Sequence, residues 1–414
     1  MRFDTIIIGG GLSGLTAGIA LAKANQKVAV VSAGQSTLHF NSGSFDLLGF
    51  DDNGEVVRNP FQAISKLGPD HPYSKIGSPK IEQLATEAKL LLTEAGLIFN
   101  GDATENHYRL TPMGQTKPTW LTLDDFITTT EPNTLPWQKI TVMNISGYLD
   151  FPIRFFVSGL MRMGAKCDMR TFTIAELENA RRSPSEMRAT NIAKVLQDDD
   201  VIAKLAHAIN ANANDADMIL LPAVLGIANA EAVDKLKRSV TTPIRFVATM
   251  PPSVSGVRIL NLLRDDFYRH GGTILSGDTV KNGYMENNRL ISIETENLSD
   301  TDLEADNFVL ATGSFMSGGL KANYEKIYEP VLGLDVEAAS ERDKWTTEYV
   351  FDAQPYMQFG VKTDSDFHAM RDGKIISNLF VAGEVLSGHD PLKQADGTGV
   401  SLLTALTVAK NILK

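Results

Sequence analysis

Gly9, Gly11 and Gly14 stand at G-x-G-x-x-G spacing near the start of the chain, and Gly18 follows them. That spacing suits a phosphate. One glycine permits a tight turn, one lets the backbone approach the phosphate, and one lets a helix pack closely on a strand. Ser42, Gly43 and Ser44 lie in a stretch dense in small polar residues, QSTLHFNSGSFDLL from Gln35 to Leu48, and could turn N–H groups and hydroxyls toward a phosphate or a cofactor ring. Thr312 with Gly313, Gly383 with Glu384, and Gly397 with Gly399 mark three later points where the chain turns closely past something. For moving a proton the candidates are His39 and His389; for holding an anion they are Arg258 and Arg109. No metal site is expected. The acidic run Asp198-Asp199-Asp200 precedes a helical pattern and supplies negative charge near a helix N-terminus.

The glycines need particular elements around them. Thr5 to Ile8 is a β-branched run of the kind found in a fully buried parallel strand. Leu12, Leu15, Ile19 and Ala22 recur at helical spacing, Asn25 and Gln26 end that helix, and Val28 to Val31 reads as a second buried strand. The result is a strand–turn–helix–strand unit of about 30 residues, whose helix N-terminus offers unpaired N–H groups and a positive dipole end to a phosphate. Sites of this class that hold NAD or FAD usually place Asp or Glu at the end of the second strand, to bind the adenosine ribose. Here Ser32 occupies that place, followed by Ala33 and Gly34, and the next acid, Asp46, comes too late. Either Ser32 makes a weaker ribose contact, as in FAD, or the cofactor ends at its phosphate, as FMN does. The reading favours FMN, with FAD as the alternative.

Further along, Ile140–Asn144, Ala165–Met169, Met218–Leu221 and Ile244–Ala248 read as short strands with helices between them. The Pro-, Thr- and Asn-rich stretches Thr111–Thr119 and Thr128–Pro136 read as exposed connections. After the rigid turn Met250–Gly256, Ile259, Leu260, Leu263 and Phe267 mark a helix face, Gly271-Gly272 ends it, and Thr273–Leu275 starts another strand. The runs ending at Gly313 and Glu384 each end a buried strand, and Leu402, Leu406, Ala409 and Leu413 line a final helix. Its glycine turn is a second helix N-terminus aimed at a ligand, where the dipole stabilises negative charge. The expected fold class is α/β: a Rossmann-like, FAD/NAD(P)-binding type flavin domain over 1–74, 246–320 and 355–414, with an inserted second α/β domain over 75–245 and 321–354.

Composition narrows the partners. Among 414 residues, 39 Lys+Arg against 50 Asp+Glu give a net charge of −11, which disfavours binding a nucleic-acid backbone. Cys167 is the single cysteine, so the chain alone cannot form a disulfide within itself or hold an iron–sulfur cluster through thiolates. The most apolar internal stretch, Met218–Ala230, is too short to span a bilayer and contains Pro222 and Gly226. A cytoplasmic chain is expected, touching a membrane only through a partner.

The signatures GGGLSG, LATG and NLFVAGE resemble those of the two-dinucleotide-fold flavoproteins, the group of the succinate dehydrogenase and fumarate reductase flavoproteins and the glycerol-3-phosphate dehydrogenases. More closely, MRFDTIIIGGGLSGLTAGIAL, TLHFNSGSFDLL, MPPSVSGVR and the stretch from ATGSFMSGGL to EPVLGLDV are similar to the B subunits of anaerobic glycerol-3-phosphate dehydrogenases. The similarity runs from Met1 to the last helix, and NSGSFDLL and PPSVSG are its discriminating stretches. The resemblance implies oxidation of sn-glycerol 3-phosphate to glycerone phosphate, with electrons passed to a quinone in fumarate or nitrate respiration. It implies three different polypeptides. The catalytic A subunit carries FAD and the B subunit FMN; the C subunit holds iron–sulfur clusters and anchors the others to the cytoplasmic side of the inner membrane. An electron-transfer role is the leading expectation. If the chain itself oxidised substrate, His39 or His389 would take the hydroxyl proton while a hydride passed to flavin N5, and Arg258 or Arg109 would clamp the phosphate. A stand-alone flavin oxidoreductase and a non-catalytic scaffold for the catalytic A subunit are the rivals.

Overall fold

The β-branched run at the N-terminus lies within a longer strand, Arg2–Ile8, in the computed structural model, which describes residues 1–181, 187–298 and 300–414. The chain divides into two units. The first comprises Met1–Thr37, Asp46–Ala95 and Leu263–Lys414; the second comprises Leu38–Phe45 and Gly96–Leu262. This division departs from the sequence expectation in four places: 321–354 and 75–95 go with the first unit, and 38–45 and 246–262 with the second. Hydrogen bonding explains the first departure, because Val336 pairs with Val361 and the Asp335 carboxylate accepts from the backbone of Asp372 and Gly373.

In the first unit, Arg2–Ile8 lies parallel to Val28–Ser32 on one side and to Leu303–Leu310 on the other. Thr273–Ser276 extends the sheet beyond Val28–Ser32, and Lys374–Val381 pairs parallel with Leu303–Leu310. An antiparallel hairpin, Val280–Glu286 with Arg289–Thr295, and the short strand His368–Arg371 bring the sheet to eight strands among the described residues. Every residue of Val28–Ser32 is buried, which is why the run is continuously apolar and does not alternate. The register decides where ligands can meet this sheet. Ile8 stands opposite both Val31 and Leu310, and Leu310 stands opposite Val381. Gly9, Ala311 and Ala382 therefore leave the sheet at one carboxyl edge, the edge where parallel α/β sheets bind ligands.

The helices Leu12–Lys23 and Gly397–Ile412 pack against each other. Leu15, Ala17 and Ile19 of the first and Val400, Leu402, Leu403, Ala405 and Val408 of the second are fully buried, as suits helices apolar on most of their surface. The first helix ends where expected: Asn25, at φ +64°, turns the chain toward the second strand.

The second unit is built on a four-stranded parallel sheet in the order Lys166–Phe172, Lys139–Ile145, Met218–Pro222, Ile244–Val247. These are the four strands anticipated, each within a few residues. The expectation of exposed connections at 111–119 and 128–136 is corrected in part. Thr116–Thr119 and Thr128–Thr129 pair with His107–Leu110 as a small antiparallel sheet, and Pro118 and Thr119 are buried. Proline in Thr116–Thr119 hid the strand, since it suits only an edge position. Asp198 stands at the N-cap position of the helix Asp199–Asn212 without a side-chain capping hydrogen bond, and two acids lie in its first turn, the electrostatic arrangement expected.

Candidate flavin site

The glycine turn is tight because the backbone around it leaves no room. A β-carbon on Gly9, whose φ is +121°, would fall 2.2 Å from the Ala311 carbonyl oxygen. One on Gly14 would fall 1.9 Å from the Gly9 carbonyl oxygen. These two glycines hold strand, turn and helix together. Gly11 differs: its nearest neighbour would be Ser36 Cβ at 4.0 Å, so its outer face is open. Gly11 is also the N-cap of Leu12–Lys23, and no side chain caps that helix. Open N–H groups at a helix start beside an open glycine form a phosphate cradle. Thr312 adds a buried hydroxyl without a hydrogen-bond partner among the described residues. Gly313, at φ +75°, turns the chain immediately after it. These residues fit the phosphate end of a flavin nucleotide.

Ser32 sits at the end of the second strand, 4% exposed, with its hydroxyl donating to the Gly34 carbonyl at 3.1 Å. Its side chain fills the space beside Gly10, where an added β-carbon would lie 2.5 Å from the Ser32 Oγ.

The second helix start meets the first at the Ala-Gly-Glu turn. A β-carbon on Gly383 would lie 2.1 Å from the Ser13 Oγ of the first helix and 3.6 Å from the Ser401 Oγ of the last. Gly397 faces Glu384, whose Oε1 lies 2.7 Å from an ideal β-carbon there. Gly399 serves packing: its N–H donates to the Asp46 carbonyl at 2.8 Å, and its α-carbon faces the Tyr73 hydroxyl. Asp396 is the N-cap of this last helix but makes no capping hydrogen bond. Its carboxylate is instead held by two histidines, His389 Nδ1 at 3.2 Å from Oδ1 and His71 Nε2 at 3.0 Å from Oδ2. All three residues are buried.

Burial alone would raise the Asp396 carboxyl, but the charge and hydrogen bond of His389, with those of His71, outweigh it and hold it well below the usual carboxylate range. Burial alone would lower His389; Asp396 outweighs it, helped by Glu384 and Asp390, and the imidazole is raised above its ordinary value. Burial likewise raises Glu384, opposed by His389 and supported by Asp396. A hydroxyl, Tyr73, completes the cluster, raised well above its ordinary value by burial and then by Asp396 and Asp46. The sequence reading missed His71 and Asp396. They lie 325 residues apart, and no local spacing joins them.

Next to this cluster in the same unit is a cleft of about 690 Å³, lined among others by His71, Gly388 and Gln394. Asp51, Asp52, Asp70, Glu337 and Asp390 line it against Lys393. Half-buried Lys75 lies within the electrostatic reach of Glu337 and Asp70, and burial lowers its ammonium from its ordinary value.

The remaining candidates lie in the second unit. Ser42, Gly43 and Ser44 form a locally bonded turn: the Gly43 N–H donates to Asn41 Oδ1 at 2.8 Å, and the Ser44 carbonyl accepts from Asn41 Nδ2 at 2.9 Å. His39 is half-buried in a short 3-10 helix, with its carbonyl accepting from Ser253 N. Arg109 is half-buried in the strand His107–Leu110. Arg258 is 3% exposed, with Nη2 2.9 Å from Asp125 Oδ2 and 3.2 Å from Oδ1. The sequence suggests a clamp for an anion here; Asp125, itself buried, already supplies one. Replacing Arg258 by leucine should cost about 3–5 kcal/mol of stability, because Asp125 is left charged and buried. Urea unfolding checks this; a change below 1 kcal/mol (about the worth of an exposed pair) would refute it.

NSGSFDLL and PPSVSG, the discriminating stretches of the resemblance, meet within this unit. The hydroxyls of Ser253 and Ser255 donate to the Asn41 carbonyl. A β-carbon on Gly256 would fall 2.0 Å from the Leu38 carbonyl oxygen. Cys167 is half-buried, and burial pushes its thiol up to about 11, so it stays protonated near neutral pH. No helix among the described residues is long and apolar enough to cross a membrane.

Comparison with known proteins places the chain in a family. The chain matches the FAD binding domain family over residues 4–400. It is 43% identical to the anaerobic glycerol-3-phosphate dehydrogenase B subunit of Yersinia enterocolitica over 417 aligned positions, covering 100% of this chain and 98% of that protein. It is 39% identical to the protein of the same name from Pectobacterium carotovorum, covering 100% and 99%. Among solved structures, an open conformation of a flavocytochrome c3 fumarate reductase aligns with a TM-score of 0.46 at 9% identity, over 100% of this chain and 79% of the other. The chain belongs to the FAD binding domain family and, within it, to the family of anaerobic glycerol-3-phosphate dehydrogenase B subunits.

Proposed function

We propose that the chain holds one FMN at the carboxyl edge of its first-unit sheet and relays electrons in the oxidation of sn-glycerol 3-phosphate to glycerone phosphate. The observation that carries this reading is the convergence of two uncapped helix N-termini, those of Leu12–Lys23 and Gly397–Ile412, on the turn at Gly383. The first would receive the phosphate through the open face of Gly11 and the hydroxyl of Thr312. The second would set its positive dipole end beside the flavin ring, where it stabilises negative charge. The flavin supplies the redox chemistry when bound, accepting and passing on electrons. This chain's residues bind it, orient it and keep an imidazole, His389, whose hold on a proton is raised, within the same cluster.

Ser32 supports FMN over FAD. A buried serine bonded back to Gly34 has replaced the carboxylate that would grip an adenosine ribose. The family description speaks for FAD, so the cofactor itself must decide. The purified chain is heated and the released flavin identified by mass. FMN is the expected result. FAD would overturn the inference from Ser32, and a chain that never carries flavin would favour a scaffold.

The acid-lined cleft supports electron transfer over substrate oxidation, because a glycerol phosphate dianion is repelled by such walls. His389 is the one sequence-proposed base in the same unit as the glycine turn; His39, Arg109 and Arg258 are in the other. Electrons leaving this chain would reach a quinone through iron–sulfur clusters on the C subunit, which would also hold the complex to the cytoplasmic side of the inner membrane. The A subunit would carry the FAD that first oxidises substrate. Dye reduction by glycerol 3-phosphate with the isolated chain separates the roles: robust turnover without a partner would sink the relay assignment.

A further inference from the structure

We infer that the loop Tyr349–Phe351, with Leu392 and the acidic rim beside them, is the surface on which this chain docks a different polypeptide of its dehydrogenase, through a partner segment that combines apolar side chains with Lys or Arg. Exposure, bracing and charge support it. Tyr349, Val350 and Phe351 are 66%, 77% and 90% exposed, and Leu392 is 74% exposed. Consecutive apolar side chains held in water are unfavourable unless something covers them, whereas scattered exposed ones are ordinary.

The loop is also braced in that position. Gln354 Nε2 donates to the Thr347 hydroxyl at 2.6 Å and to the Tyr349 carbonyl at 2.9 Å, while Thr347 N donates to Gln354 Oε1 at 3.0 Å. Asp352 N donates to the Tyr349 carbonyl at 3.0 Å. Lys393 Nζ donates to the Phe351 carbonyl at 2.8 Å, tying the loop to the turn that carries Leu392. A pre-ordered apolar patch loses little entropy on binding.

The surroundings set the charge of the partner. Glu348 and Asp352 flank the three apolar residues in sequence and are exposed. Ala353 and Lys393 open directly into the cleft lined by Asp51, Asp52, Glu337 and Asp390. Lys393 is occupied by the Phe351 carbonyl, and Lys344 by Glu341 at 2.9 Å. An apolar centre with an acidic rim is complementary to an apolar segment flanked by basic residues, and such rims steer association and select partners. The net charge of −11 makes a second copy of this chain a poor occupant.

The inference rests on the reading of the chain as one part of a multi-subunit enzyme, and the test separates the two. The chain is co-expressed with the other polypeptides of the dehydrogenase, one of which is tagged, in wild-type form and as Val350→Glu with Phe351→Glu. The expected result is at least a tenfold loss of the chain from the tagged complex, with melting temperature and bound flavin unchanged. A control, Leu149→Glu, changes another residue that is 81% exposed and should assemble normally. A photoreactive residue in place of Phe351 should crosslink to one of the other polypeptides. Assembly of the double variant at wild-type yield, or a crosslink to a second copy of this chain, would overturn the surface. If the wild-type chain does not assemble either, the multi-subunit reading itself fails.

Discussion

Replacing Gly11 by alanine should yield a folded protein that has lost its flavin, whereas the same change at Gly14 should damage the fold itself. Gly11 has φ −85° and ψ −167°, an extended conformation that alanine adopts freely, and the added methyl group would meet nothing nearer than Ser36 Cβ at 4.0 Å. Its cost falls entirely on whatever approaches from the open side. A phosphate displaced by one methyl group loses hydrogen bonds to the uncapped N–H groups of the first helix. We expect at least a tenfold loss of bound flavin per chain, equivalent to about 1.4 kcal/mol, with an unchanged melting temperature once flavin-free samples are compared. At Gly14 the methyl group would lie 1.9 Å from the Gly9 carbonyl oxygen. Strand and helix would have to separate, at a cost of about 1–3 kcal/mol or more. Flavin absorbance of the purified variants, beside their thermal unfolding, reads both effects. Full flavin content in Gly11→Ala would remove the first helix start from the cofactor site.

The Asp396→Asn variant should alter the pH dependence of stability in the first unit. In the wild type His389 titrates above its ordinary value, so its protonated form contributes stability in full below about pH 6.5. That contribution is lost as the pH rises through its folded-state value. Asp396 titrates below its ordinary value, so its contribution is present above about pH 4 and falls away only in stronger acid. Between about pH 6 and 8 the wild-type melting temperature should therefore decline. Asparagine keeps the shape but removes the charge that opposed burial. Glu384 and Asp390 still face His389, and His71 still faces position 396, but burial then dominates and His389 titrates below its ordinary value. A buried imidazole of that kind is destabilising when protonated, so the variant should gain stability as the pH rises toward about 6.5 and then level off, without the decline of the wild type. At about pH 6 the loss relative to wild type should be about 3–5 kcal/mol, the cost of removing one partner from a buried pair. At about pH 8, with His389 neutral, it should be smaller. Parallel pH profiles for the two proteins would show that Asp396 does not hold the His389 proton.

The two outcomes turn on contacts of different range along the chain, and the sequence was unequal to them in different ways. The glycine turn was legible because its parts are local. A β-branched strand, three glycines and a helical apolar pattern occupy one short stretch, and Gly9 and Gly14 are demanded by the adjoining strand and by a neighbour a few residues away. Ser32 was legible for the same reason, since the end of the second strand can be counted from the glycines. The four parallel strands of the second unit were visible as apolar runs, whereas Thr116–Thr119 was masked by the proline in it.

The buried cluster was only half visible. His389 could be noticed beside the Ala-Gly-Glu turn, but its partner Asp396 read as one acid in a polar loop, and His71 read as nothing at all. Arg258 was singled out as a candidate for holding an anion, yet its partner, Asp125, lies 133 residues away. By itself the sequence determined the glycine turn, the α/β class and the family, because turn geometry, strand and helix periodicity and motif order are short-range properties of the chain. Only the tertiary structure decided which charges neutralise each other, which glycine has an open face rather than a neighbouring carbonyl, and which apolar residues stay in water. Those depend on the register that brings Ile8, Leu310 and Val381 to one edge of the sheet, and on burial, which makes a lone carboxylate costly and a carboxylate between two histidines stable.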